Sequence, residues 1–348
     1  MSLARIRSGA VWSALVGLGV LFPIVFTNPT YTTIGIWTLI YVIGATAWNI
    51  FSGYTGYFSF THAAFYGIGA YTVVLLAEAW KIPGGYSMFL LLPLGGLLAG
   101  VAAIPIGLFA LRTRQMVFAM VTIAIFFSGQ LLAFNLRSLT HGASGVESPI
   151  ASWSASFYNV PFYYVALMVA ALAVSTSWAI RRSRFGLSLL AIRDDEDRAV
   201  GLGVPTTVAK LASFMISGCL LGMAGGIYAL FAGSIYPQFA FDPVFDAVVL
   251  TCVLIGGIGT LWGPIAGALL LIPLQQSFIV FTGSSNWFLI IQGGLFLIVV
   301  LYLPAGVVPT VVAYAKTRSA QHGDRYNGTR PKAPMTANAD TRPPVATR

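Results

Sequence analysis

Charge is what this sequence has least of. Acidic and basic side chains make up 8% of its 348 residues, where a soluble domain carries about a quarter. A water-soluble fold could not cover such a chain with polar surface. Phosphate-binding chemistry is missing too. No glycine-rich loop ends in a Lys-Ser/Thr pair, so the chain is expected to bind no cofactor and hydrolyse no ATP itself. The three histidines, His62, His141 and His322, are isolated in sequence. Neither metal-ligand spacing nor a nucleophile–base–acid set is therefore present, and no enzyme is expected. Cys219 and Cys252 sit in apolar runs and read as small hydrophobes rather than a redox or disulfide pair.

What is present is apolar, at 57% hydrophobic residues. Ten segments can be marked, at about 10–27, 31–51, 58–78, 88–111, 116–134, 161–180, 208–232, 244–258, 262–282 and 286–308. They predict an all-α integral membrane protein with about ten transmembrane helices. The layout is a cytoplasmic N-terminus (1–9), a permeating domain (10–310) with a cytoplasmic linker (181–207), and a disordered basic tail (311–348). The first apolar run follows Arg5 and Arg7 without a convincing cleavage site and reads as a retained span.

The net charge of +9 does not indicate nucleic acid, because basic residues flank apolar segments: Arg5 and Arg7, Arg112 and Arg114, Arg181, Arg182 and Arg184. Seven of the 19 lie between Lys316 and Arg348. By the positive-inside rule both termini are cytoplasmic, and residues 244–308 must then hold three passes with a break at Gly256-Gly257-Ile258-Gly259-Thr260. Ten passes divide into two five-helix halves, which implies inverted topology if the halves are related. A faint echo between glycine-rich breaks at 53–69 and 256–267 agrees with that.

No Asp, Glu, Lys or Arg falls near the middle of an apolar segment; Glu78 and Asp246 fall near outer ends. An ion-coupled carrier needs such a group, so this absence weighs against one.

Three segments carry the functional signal. In the first, Trp48 to Tyr71, polar side chains and the glycines Gly53 and Gly56 interrupt apolar helix. Such breaks are tolerated only inside protein or beside a wet cavity. Asn49, Ser59, Thr61 and His62 could line a pathway with neutral hydrogen bonds; alternatively they satisfy backbone atoms where helices pack closely. The second is the linker from Arg181 to Gly203. Leu189 and Ile192 share a helical face with Phe185 one turn earlier, Asp194 can pair with Arg198, and Gly201 and Gly203 end the helix. Such an amphipathic element suits docking of a soluble partner. Gly186, Arg193 and the acids Asp194, Asp195, Glu196 and Asp197 belong to the same stretch; its alternative is a helix lying on the bilayer. The third, Ile255 to Gly267, reads as a broken helix around Gly256, Gly257, Gly259, Gly263 and Pro264.

Together, the run GYTGYFSFTHAAFYGIGAY, the linker RFGLSLLAIRDDEDRAVGLG continuing to KLASFMISGCLLGMAGGIYAL, and GGIGTLWGPIAGALL resemble the LivM-type permease of bacterial branched-chain amino-acid ABC importers, over about residues 31–310. The resemblance implies a ten-span inner-membrane permease paired with a second, LivH-type permease. It also implies two cytoplasmic ATPase subunits that use the ATP and a periplasmic solute-binding protein, with the ATPase meeting the stretch 181–203. Departures touch the suspected pathway: the family's Gly-Gln-Leu-Ser-Leu-Gly-His stands here as Gly56, Tyr57, Phe58, Ser59, Phe60, Thr61, His62. The family's Thr-Gly-Gly stands as Thr140, His141, Gly142. Relatives carry urea, short amides or aromatic acids, so the resemblance leaves the solute open. An ion-coupled carrier and a non-transporting membrane scaffold are the other readings.

Overall fold

Apolar runs of this length must satisfy every backbone group internally, which is why helices dominate the chain. The computed structural model describes residues 17–26, 28–154, 157–282 and 286–302. The expected N-terminal segment 1–9 and basic tail 311–348 lie outside the described residues. In chain order the helices are α1 (17–25), α2 (Pro29–Trp48), α3 (His62–Ala79), α4 (Leu92–Ala110), α5 (Gln115–Asn135) and the short α6 (Arg137–Thr140). There follow α7 (Asn159–Arg182), α8 (Arg184–Asp194), α9 (Glu196–Gly201), α10 (Thr206–Ala232), the short α11 (Pro237–Ala240), α12 (Pro243–Gly256), α13 (Gly263–Thr282) and α14 (Asn286–Tyr302). Two two-residue strands, β1 (Val146–Glu147) and β2 (Ser234–Ile235), pair antiparallel.

Seven helical stretches among the described residues are long and apolar enough to cross a membrane. They coincide with seven of the ten expected segments. The 18-residue α3 carries His62 and Glu78 near its ends, and α14 has 17 residues; both fall short of that measure. The first expected span is described only from residue 17. The segment 244–308 does hold three helices, α12, α13 and α14, with a break after Gly256.

The bundle has two distinguishable ends. The Asn159 side chain at the start of α7 donates from Nδ2 to the Pro29 carbonyl at 3.0 Å, so α2 and α7 begin together. α7 then leads into α8 and α9, and α10 returns from α9 to β2. One end therefore carries the linker and the other the strand pair. At the centre, α10 packs on α3 and α4 through glycines: a Cβ on Gly69 would collide with the Gly222 backbone, and one on Gly225 with the Tyr66 carbonyl. Small residues permit this approach, which van der Waals contact rewards in a setting without hydrophobic drive.

The linker corrects one expectation. It is two helices, because Asp195 adopts an extended backbone (φ −162°, ψ 107°) and its carboxylate accepts from the Arg198 amide. That side chain is an N-cap and starts α9 afresh. Arg198 consequently pairs with Asp195 at 2.9 Å, three residues away, rather than with Asp194. Gly201 does end α9.

Candidate functional site

The helix breaks meet. α2 does not stop at Trp48 but widens into a π-helical turn, Asn49–Gly53. The chain leaves helix at Gly56, whose φ of +76° suits a residue without Cβ. Residues 56–61 are non-helical and α3 starts at His62. The second break joins α12 to α13 over 257–262, with Gly259 at φ +74°. Asn49 bridges the two: its Oδ1 accepts from the Gly259 amide at 2.8 Å, and its Nδ2 donates to the Thr260 carbonyl at 2.9 Å. Gly53 and Gly263 are points of close approach. A Cβ on the former would collide with the Asn49 side chain, and one on the latter with Thr260 Oγ1. Gly256 closes α12 against the Gly263 carbonyl, and Pro264 lies in the first turn of α13.

The linker holds both breaks by their carbonyls. Arg193 of α8 donates from Nη1 to Gly53 O at 2.8 Å, and Arg181, at the end of α7, donates from Nη1 to Gly259 O at 2.6 Å. Charged donors make such bonds roughly twice as strong as neutral ones. A third tie anchors the loop 56–61. The Tyr57 hydroxyl donates to Glu196, Lys210 Nζ lies 2.6 Å from the other Glu196 oxygen, and that same ammonium stands 4.4 Å from the Tyr57 ring centroid. Burial alone would raise the Glu196 carboxyl; hydrogen bonds from Lys210 and Tyr57, with the charges of Lys210 and Arg114, bring it below its ordinary value. These ties join α8 to the end of α2, α7 to the second break, and α9 to the loop 56–61 and the start of α10.

Residues 30–300 match the family described as the permease component of branched-chain amino acid transport systems. The chain belongs to that family. It is 27% identical to the high-affinity branched-chain amino acid transport system permease protein LivM of Salmonella typhimurium over 334 residues, 88% of this chain and 76% of the relative. It is 25% identical to the LivH permease of the same organism, over 77% of this chain and 91% of that one. A shorter likeness, 28% over 41% of this chain and 39% of the relative, is to the xylose transport system permease protein XylH of Haemophilus influenzae. No solved structure matches the chain.

Within the permease, the four residues read as candidate pathway groups are brought together at the first break, and all are fully buried. The Ser59 and Thr61 hydroxyls bond each other at 2.9 Å. His62 Nδ1 lies 3.3 Å from the Ser59 carbonyl, and its Nε2 is buried without a partner among the described residues. Asn49 has both side-chain polar atoms engaged on the second break. Asp246, near a segment end by sequence, lies in the first turn of α12, where it is buried and accepts from the Ala63 amide at the start of α3 at 2.9 Å.

The linker residues divide by face. Leu189 and Ile192 are buried, Phe185 packs partly against the core, and Gly186 has no room for a Cβ beside the Ile180 carbonyl. The apolar face of the linker is thus taken up by the chain's own packing, which leaves its other face outward. Facing outward are Leu187 (64% exposed), Val200 and Leu202, with Asp194 and Asp197; Asp197 pairs with Arg114 at 3.1 Å. Gly201 sits in open space. Sequence reasoning passed over Arg181, Lys210 and Tyr57 as parts of this junction. A lone lysine opening an apolar segment was the signal for Lys210.

Proposed function

We propose that this chain is a membrane-spanning subunit of an ATP-driven importer for a branched-chain or related amino acid. It supplies the path and the mechanical link, while ATP is bound and hydrolysed on partner subunits. The partners are a second, LivH-type permease, two cytoplasmic ATPase subunits and a periplasmic binding protein. The chain sits in the bacterial inner membrane with about ten passes and both termini cytoplasmic. The observation carrying this reading is the pair of linker arginines on the carbonyls of the two helix breaks. An ATPase pressing on the outward residues of α8 and α9 moves Arg193 and Arg181, and with them the broken helices. Only contacts that differ between the two facings can shift their populations, and bonds to backbone at a break are such contacts.

The solute class follows the LivM relatives, with urea, short amides, aromatic acids or a sugar as the second reading; the xylose permease likeness supports keeping the last. Co-purification from native membranes with mass spectrometry tests the assignment. Two ATPase subunits and a second permease are expected, and recovery of the chain alone would overturn it. Charge reversal at Asp194 and Asp197 should then weaken ATPase retention without loss of membrane insertion.

A further inference from the structure

The 24 residues of α7 rise about 36 Å. That exceeds a hydrocarbon core of about 30 Å, so the two ends of α7 stand in opposite headgroup layers. At its start, Tyr158 and Phe162 join a cluster of rings with Trp153. At its other end the chain reads Arg181, Arg182, Ser183, Arg184. An exposed stripe leads down to that end. Met168 (64% exposed), Leu172 (48%), Ser175, Ala179 and Arg182 follow one another at helical spacing on one face. Trp178 borders the stripe, and the Arg182 guanidinium stands 3.9 Å from its ring centroid.

The corner between α7 and α8 has a fixed shape. Ser183 leaves helix (φ −88°, ψ 164°) and caps α8, its hydroxyl accepting from the Gly186 amide at 3.2 Å. Gly186 in turn packs on the Ile180 carbonyl, where no Cβ would fit. The charge of this corner is not balanced locally. Other arginines on this side of the bundle are matched inside the chain: Arg193 to the Gly53 carbonyl, Arg198 to Asp195, and Arg114 to Asp197. No ion pair among the described residues involves Arg181 or Arg184. In sequence, the nearest acids on either side of the corner are Glu147 and Asp194.

Guanidinium forks match phosphate oxygens, and basic clusters beside a membrane helix recognise anionic headgroups. A zwitterionic headgroup would bring its own ammonium among the arginines; an anionic one would not. We propose that Arg182 and Arg184, with Arg181 beside them, hold the phosphate of an anionic phospholipid in the leaflet on the linker side. Its acyl chain lies along Leu172 and Met168, with Trp178 at the level where indole rings gather in a bilayer. Arg181 also donates to the Gly259 carbonyl at 2.6 Å, so an occupied corner steadies the tie to the second break. That effect on transport rests on the permease reading, whereas the lipid site does not.

The full chain, with the subunits it retains, would be mixed with equal amounts of phosphatidylglycerol and phosphatidylcholine and weighed by native mass spectrometry. Phosphatidylglycerol should be retained about tenfold over phosphatidylcholine. Arg184→Gln should cut that preference several-fold, and Arg184→Lys, which keeps the charge, should restore much of it. Arg112→Gln, which removes an equal exposed charge beyond the end of α4, should leave it intact. Equal retention of the two lipids, as would follow were a partner subunit seated on this face, would overturn the site. Equal losses in Arg184→Gln and Arg112→Gln would overturn it in favour of general basic attraction. Release of the lipid by excess inorganic phosphate would do so in favour of a small-anion site. ATP-driven uptake into proteoliposomes reads the consequence: it should rise several-fold as phosphatidylglycerol replaces phosphatidylcholine, and stay flat in Arg184→Gln. Uptake indifferent to the lipid sinks the effect on the tie alone, and lipid retention without ATP-driven uptake at any composition sinks the permease reading alone.

Discussion

The Arg193 guanidinium donates to the carbonyl oxygen of Gly53 across 2.8 Å, joining a linker helix to the π-helical end of α2. Their positions are 140 residues apart in the chain. Charge-assisted bonds of this kind contribute about 1.5–3 kcal/mol. Arg193→Ala should therefore lower transport by about tenfold or more while ATP hydrolysis by the assembled complex continues, since a factor of ten corresponds to about 1.4 kcal/mol. Paired uptake and ATPase assays check this, and a parallel fall in both would remove the coupling role.

Asn49 answers two backbone groups of the second break at once. Asn49→Ala leaves the Gly259 amide and the Thr260 carbonyl without their partner, at about 1–3 kcal/mol for each group left unsatisfied. A lowered thermal midpoint in detergent is expected, with Asn49→Asp intermediate because it retains the acceptor.

Gly259 combines a left-handed φ with a Cβ position already taken by the Arg193 guanidinium. Gly259→Ala should destabilise the protein by about 1–3 kcal/mol from backbone strain alone. Gly201→Ala, where a Cβ meets open space, serves as the neutral control in the same melting experiment.

The Glu196 carboxyl sits below its ordinary value. A depressed folded value means that its contribution is complete above the unfolded carboxylate range, at about pH 4.3, and is lost as pH falls through the folded value. Hydrogen exchange along α9 should accordingly stay slow down to that range and quicken below it. In Glu196→Gln this acid-induced change should be absent, and an unchanged acid profile would mean that another group controls α9.

Much of this architecture was legible from residue order. The apolar runs and the Gly256–Thr260 interruption put three helices after residue 243 because lipid forbids unpaired backbone, and glycine marks where pairing stops. The junction was less legible. Asn49 and Gly259 are both visible as unusual residues in apolar surroundings, but nothing local says that one bonds the other 210 positions away. The linker shows what periodicity leaves out. Periodicity gives Leu189 and Ile192 a common face, yet it does not say whether that face meets a foreign partner or the chain's own bundle, and here it meets the bundle. Asp195 likewise looked like one acid among four, whereas its extended backbone makes it the start of a separate helix.

The π-helical turn at Asn49–Gly53 holds a length of chain in reserve. A π turn closes its hydrogen bonds one residue later than an α turn. Reversion to α bonding would release a single residue, worth about 1.5 Å of axial travel and about 100° of screw rotation. Everything from Tyr54 to His62 hangs from that turn, so a winding or unwinding by one residue would re-aim Tyr57, Ser59 and His62 together while α2 above it stood still.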